Sequence, residues 1–349
     1  LTFASGEPPP DGRSRERPFL QRTASAFTIL TCVLLLAGAA GQWSQRLDAL
    51  ASFAPLLFGS LIVAGALSLA IDPPSRQTIG LCLLIGIAAG ARMIAPEWLR
   101  PIPAAPRHAS ADFKVVSANL WVHNVEPDRT IAFLTNSGAD VLLLQETNGT
   151  IASRLNRLRS AYPYRTRCKS PTCALAIFSK RPMLADRFRL RDSDNRPFGP
   201  NLFWAATTDR SGRPVTLITV HYPWPLLKYD QQRVRRELTN ALRRVEGDDV
   251  ILAGDMNLTP WTAAMREQDA AWQPLIRQTR AVATWPARIA SGAAFPIPLL
   301  PIDQVYAGPA WRHASAVRGP RIGSDHYPVI VTLRRNEDQP GAPDAPNEP

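Results

Sequence analysis

Val250-Ile251-Leu252-Ala253-Gly254-Asp255-Met256-Asn257 is a continuous apolar run that ends in Gly-Asp-x-Asn. A run of that length, bounded by turn residues, reads as a buried strand. Asp255 and Asn257 fall where the strand gives out, and an i, i+2 pair there shares one side of the sheet. The carboxylate can take a cation or a proton, while the amide can donate to an anionic oxygen. The same two residues also make an ordinary Asx-type turn, so this stretch alone does not decide between a turn and a site. Its company elsewhere in the chain does.

Other apolar runs end in the same manner. Residues 113–119 alternate apolar with polar up to Asn119, as a strand would. Pro127 suits a first helical position and opens a helix to about Asn136, closed by Gly138. Residues 139–147 then read as a buried strand ending in Glu146, and 214–221 as a strand ending in His221. Short strands are expected over 174–179, 302–306 and 329–333, the last preceded by Gly323-Ser324-Asp325-His326-Tyr327-Pro328. Two basic segments have helical character: one carries Arg154, Arg157 and Arg159, the other runs from Lys228 to Val245. Thr259 is the expected cap of a short helix starting at Pro260. Strands separated by helices, with polar residues recurring at strand ends, suit a layered α/β (α+β) sandwich.

Asn119, Glu146, His221, Asp255 with Asn257, Asp303, and Asp325 with His326 form an ordered set. In order and local context it resembles the endonuclease/exonuclease/phosphatase superfamily, the fold of deoxyribonuclease-like enzymes. The stretches that carry the resemblance are Ser-Ala-Asn-Leu, Leu-Leu-Gln-Glu-Thr, Thr-Val-His, Ala-Gly-Asp-Met-Asn, Pro-Ile-Asp and Gly-Ser-Asp-His-Tyr-Pro. The resemblance implies a four-layered sandwich of two mixed β-sheets flanked by helices. It also implies one or two divalent cations, Mg2+ or Mn2+, with Glu146 as the principal metal carboxylate, Asn119 helping and Asp325 supporting. Asp303 would hold the imidazole of His326, which would take a proton from water. Asp255 would manage protons or metal at the same phosphate, and Asn257 and His221 would donate to the phosphoryl oxygens. Gln304 after Asp303 and Trp121 after Asn119 depart from the pattern of many members, which bears on a second metal.

The first hundred residues lie outside this resemblance, although bacterial members with membrane anchors exist. Residues 23–45 and 49–71 are almost free of charge, and each is long enough to cross a hydrocarbon core, which takes about 20 apolar residues. A third block, 77–91, is shorter and runs into Arg92 and Pro96; it spans if Arg92 snorkels. We therefore expect a disordered basic tail (1–22), a transmembrane region (23–95) of three helices with two as the alternative, and a Pro-rich linker (96–111). A catalytic domain (112–335) and a disordered tail (336–349) complete the chain. An arginine-rich tail stays cytoplasmic. Three spans then give a multi-pass protein of the inner membrane with its catalytic domain periplasmic or extracellular. Cys168 and Cys173 flank Ser170-Pro171 and can be a disulfide or two unrelated thiols.

At 349 residues, 45% of them hydrophobic, the chain can bury a sizeable core. Its net charge is +11, nearly all from arginine, which favours polyanions or an anionic membrane surface as neighbours. No His/Cys spacing of a zinc site is present. The leading expectation is a membrane-anchored, metal-dependent phosphodiesterase acting on nucleic acid. Hydrolysis of a phospholipid, sphingomyelin or inositol phosphate is the alternative within that chemistry. A non-catalytic membrane-tethered binding module is the alternative outside it. The sequence points to no protein partner.

Overall fold

The computed structural model describes residues 13–105, 112–166, 174–187, 190–191, 197–198, 202–225, 231–245, 247–289 and 291–336. The chain divides into two compact units, Leu1–Pro96 and Glu97–Pro349. Cys168 and Cys173 lie outside the described residues.

In the first unit the helices are α1 (Arg13–Ala39), α2 (Gln45–Ala51), α3 (Ala54–Ile71) and α4 (Arg76–Leu99). Residues 13–22, expected to be part of a disordered tail, form the first turns of α1 instead. Pro55 begins α3, where its missing N–H costs nothing. Pro96 does not end α4, which runs three residues further. The third apolar block is therefore longer than its charge-free core suggested: 73–99 gives 27 residues of high mean hydropathy, beside 21 for 19–39 and 18 for 54–71. All three are long and apolar enough to cross a membrane. Polar side chains lock α1 to α3: Ser25 donates to Asp72 at 2.7 Å, and the Thr28 and Ser68 hydroxyls meet at 3.2 Å. Such bonds hold helices together where apolar surface alone gives no preference for a neighbour.

The second unit opens with β1 (Phe113–Asn119), α5 (Pro127–Asn136), β2 (Val141–Gln145), β3 (Tyr164–Arg165), β4 (Leu175–Ser179), β5 (Ala185–Arg187), β6 (Leu190–Arg191) and β7 (Pro197–Phe198). It continues with β8 (Leu202–Thr208), β9 (Pro214–His221), α6 (Gln231–Leu242), β10 (Val250–Asp255), α7 (Ala263–Ala271), β11 (Ile276–Arg277), β12 (Asp303–Ala307), β13 (Trp311–Arg318) and β14 (Val329–Arg335). Two six-stranded sheets form, in the orders β13-β14-β1-β2-β4-β3 and β11-β12-β10-β9-β8-β5. Each is mixed, with one parallel pair at its centre, β1/β2 in the first and β9/β10 in the second. These four strands are buried along nearly their whole length because both of their faces are covered. Between the sheets lies a core that includes Val115, Leu143, Ile177, Leu217, Ile251 and Val305. A second cluster seats α6 and α7 on one outer face, and a third seats α5 and the 3-10 stretch Gly149–Ser160 on the other. The result is the expected four-layered sandwich.

Three local expectations change. The segment with Arg154, Arg157 and Arg159 is a 3-10 stretch rather than an α-helix, and Arg154 and Arg157 are both tied to Asp128. Thr262, not Thr259, caps α7: its hydroxyl accepts the Met265 N–H at 3.2 Å while donating to Thr259 at 2.8 Å. Residues 97–105, expected as a linker, belong in part to the sandwich. Glu97 is 2% exposed and grips Arg277 of β11 at 2.7 and 3.1 Å, while Arg277 also holds Asp269 at 2.7 Å. Arg100 donates to the Arg277 and Thr279 carbonyls. A buried charge needs its partner, and truncating one partner of such a pair costs about 3–5 kcal/mol. Glu97→Ala should therefore lower stability by about 3 kcal/mol in chemical denaturation of the full chain in detergent. A change below about 1 kcal/mol would show that Asp269 alone neutralises Arg277.

Candidate active site

Register assembles the site. In the first sheet Asn119 lies beside Gln145, so Asn119 and Glu146 leave neighbouring parallel strands at the same edge. In the second sheet Asp255 lies beside His221 on one side and opposite Asp303 on the other. Side chains from both sheets then meet. The Asn119 amide gives its hydrogens to Glu146 Oε1 (3.0 Å) and Asp255 Oδ2 (3.1 Å), bridging one sheet to the other. Its own oxygen accepts the Trp121 N–H at 3.0 Å.

Around Asp255 the donors converge. The Asn257 backbone N–H reaches Asp255 Oδ1 at 2.9 Å, and the Nε2 atoms of His221 and His326 lie 3.5 and 3.6 Å from Oδ2. The Asn257 side-chain amide is turned to the Tyr222 carbonyl at 2.9 Å, so here it holds the strand end rather than pointing into solvent. His326 Nδ1 is 2.9 Å from Asp303 Oδ2, and the same oxygen receives the Thr284 hydroxyl at 2.5 Å. Ser324 ties the histidine's loop to β1: its hydroxyl donates to the Asn119 carbonyl at 2.8 Å and accepts the His326 N–H at 3.0 Å.

Electrostatics reflect this crowding. Burial raises the Asp255 carboxyl to about 6, against the opposing pull of His326. Burial alone would lower the His326 imidazole, but Asp303 and Asp255 outweigh it and raise it to about 10. The two carboxylates flanking the ring, with Nδ1 2.9 Å from Asp303 Oδ2, favour the charged imidazole. Asp325 is raised by burial and by the charge of Glu146 nearby.

Two groups of side chains in this cluster offer oxygen ligands to a cation. Asp255, Asp303 and His326 bring their ligand atoms within 4.8 Å of one another. Asp303 Oδ2 is taken by His326 and Thr284, which suits a proton-handling dyad, while Asp303 Oδ1 is buried without a hydrogen-bond partner. On the other side, Glu146 faces Asp325, whose Oδ1 is buried without a hydrogen-bond partner. Glu146 Oε2 is fixed by the Val122 N–H at 3.0 Å, and its side chain stays 21% exposed. Two carboxylates that repel each other, one with an orphaned oxygen, are a donor set for a hard divalent cation. The structure thus brings together all eight residues singled out from the sequence. It adds Thr284, Ser324 and Trp285, whose indole N–H is 3.4 Å from Asp325 Oδ2. Thr284 sits in a Pro-rich stretch with no periodicity, so no sequence signal points to it.

A histidine–carboxylate dyad and further carboxylates at one edge of paired sheets are residue types that phosphoric ester hydrolysis can use. The family description "Endonuclease/Exonuclease/phosphatase family" matches residues 116–326, and the chain belongs to that family. No curated protein sequence matches it. Among solved structures, an endonuclease/exonuclease/phosphatase from Beutenbergia cavernae aligns with TM-score 0.51 and 18% identity over 65% of this chain and 72% of its own. TDP2 of D. rerio, complexed with a single-strand DNA product, aligns with TM-score 0.51 and 19% identity over 64% of this chain and 100% of its own. A Bacteroides vulgatus endonuclease/exonuclease/phosphatase aligns with TM-score 0.50 and 17% identity over 65% and 100%. At such identities these likenesses speak to the fold alone.

Gly254 explains why the residue before Asp255 carries no side chain. A Cβ there would lie 1.9 Å from the Val220 carbonyl oxygen of β9, and its nearest neighbours are all Val220 backbone, with no flexible side chain to yield. Gly254→Ala should push β10 from β9, cost about 3 kcal/mol and displace Asp255. Denaturation midpoints and hydrolysis of a small diester should both fall. An unchanged midpoint would mean that the two strands are free to separate.

Proposed function

We propose that this chain is a membrane-anchored, divalent-cation-dependent phosphodiesterase of the nuclease type, with its centre at Asn119, Glu146, His221, Asp255, Asn257, Asp303, Asp325 and His326. The observation that carries the reading is the convergence of these side chains at one edge of both sheets. A cation held by Glu146 and Asp325, with Asn119 orienting Glu146, would neutralise charge on the phosphoryl oxygens. Asp303, steadied by Thr284, holds the His326 ring so that Nε2 faces the position of the scissile phosphate beside Asp255. Asp255 accepts the proton of the attacking water, and His326 stabilises the phosphoryl oxygens or protonates the departing one. His221, 26% exposed and within 3.8 Å of Glu146, approaches the substrate from the open side.

Three membrane-length helices support anchoring, and the arginines of the first segment support a cytoplasmic start. On three spans the catalytic unit lies periplasmic or extracellular; a reporter fused after Ala111 reads the side directly. Nucleic acid is preferred over phospholipid because the catalytic unit bears a run of arginine on α6 close to the site.

Glu146→Gln and His326→Ala, each in the full chain, should lower hydrolysis of single-stranded DNA, RNA and a simple diester by at least about 100-fold. EDTA should abolish it. Glu146→Gln should also weaken Mn2+ binding followed by electron paramagnetic resonance, which reads the cation without catalysis. Activity retained by both variants would remove these residues from the chemistry. Cleavage of sphingomyelin but not of nucleic acid would move the substrate to lipid.

A further inference from the structure

Gln231, the first residue of α6, is buried, and its side-chain amide donates to the carbonyl of Pro223 at 2.8 Å and approaches that of Met256 at 3.3 Å. The helix therefore starts against the backbone that positions Asn257. From there Gln232, Arg235, Arg236, Thr239, Asn240 and Arg243 recur at i, i+3, i+4, i+7, i+8 and i+11, one stripe along one face. At 1.5 Å per residue the stripe is about 17 Å long. It forms one wall of a groove of 340 Å³ whose other wall is α7.

Donors line this groove almost without exception. Among the described residues its only acid is Glu267, which already pairs with Arg235 at 3.4 Å. Arg235 is held in place by the Ala264 carbonyl at 2.7 Å. Arg236 and Arg243 are exposed, and neither has an ion-pair partner among the described residues. Arg233, off the stripe, is neutralised by Glu237 at 2.8 Å. Among the described residues no large apolar side chain lines the groove, whereas a helix that lies on a bilayer inserts Leu, Phe or Trp from the face it presents. A concave file of guanidinium, amide and hydroxyl donors instead matches a linear polyanion, whose charges recur about every 3.4 Å along a nucleic-acid strand.

We infer that the α6/α7 groove is a track for the phosphodiester backbone of a single-stranded nucleic acid that extends from the catalytic edge. The inference rests on the phosphodiesterase reading and gives its substrate class. With no aromatic ring lining it among the described residues, the track grips phosphates and reads no bases.

The test uses the full chain in neutral detergent and the double variant Arg236→Glu/Arg243→Glu, both positions being exposed. Binding of a labelled oligothymidylate longer than about 16 nucleotides is measured by anisotropy in EDTA across a salt series, so that no cleavage intervenes. The variant should bind about tenfold more weakly, and its slope of log affinity against log salt should flatten by roughly 1.4, about 0.7 per lost phosphate contact. Hydrolysis of a small diester, too short to reach the groove, should be unchanged. Oligonucleotide affinity and slope equal in variant and parent would overturn the track, as would a parent that does not bind the oligonucleotide. Binding of phosphatidylserine vesicles through the same arginines, without oligonucleotide binding, would overturn it in favour of a lipid surface. Failure of both proteins to hydrolyse any diester would count against the catalytic reading and leave the binding result to decide the track by itself.

Discussion

Asp255 and Asp303 stand directly opposite each other across the antiparallel pair β10/β12, and both are 1% exposed. Like charges in cross-strand register repel, and burial removes the water that would screen them. His326 resolves the conflict by standing between the two carboxylates, bonded to one and close to the other. The counter-charge of the second sheet's edge thus arrives from a loop that leads into β14 of the first sheet. Asn119 makes the reciprocal connection from β1 to Asp255. The two sheets are joined at this edge by charge and hydrogen bonds; behind it apolar packing dominates, with buried polar bridges such as Gln145 Nε2 to Thr219 Oγ1 at 2.8 Å.

This arrangement explains which features were legible in the sequence. A strand end is visible because an apolar run stops, and a polar residue at that point has few structural reasons to be there. Asn119, Glu146, His221 and Asp255 all met that criterion, and parallel pairing placed them at one edge. Thr284 did not: its role comes from a long excursion between β11 and β12 whose only regularity is proline. The Thr262 cap was displaced from Thr259 by a turn through Pro260, which the local pattern of hydroxyls does not distinguish. Glu97 was hidden for a different reason. An acid at the end of an apolar block reads as an interfacial residue, and only the tertiary fold reveals a buried arginine 180 positions away.

The ion pair of Glu97 with Arg277 also redraws a boundary. Composition changes at Pro96, where apolar helix gives way to proline-rich chain, and a linker is the natural reading. The contacts place the break at the same residue but assign the segment from Glu97 onward to the catalytic unit. Arg280 reinforces this by donating to the carbonyls of Glu97, Trp98 and Arg100. Those carbonyls close the last turn of α4 and would otherwise lack partners. Residues 97–100 are thus held by arginines of the sandwich rather than left as free chain.

Backbone strain at the site has a similar logic. Trp121, Glu146 and Asn257 adopt positive φ of 58°, 50° and 47°, a region that bulky L-residues avoid. Each lies just beyond the end of β1, β2 or β10, and the reversal aims backbone donors inward: Val122 N–H to Glu146, Asn257 N–H to Asp255. A glycine would relieve the conformation but would remove the side chain or the anchoring contacts that the site needs. Strain of about 1–3 kcal/mol per residue persists only where neighbours over-determine it. Here the neighbours are the carboxylates themselves, whose need for donors holds the turns in shape. The charge that makes this edge costly to fold is therefore also what orders its backbone, and the same groups supply the proton and cation chemistry.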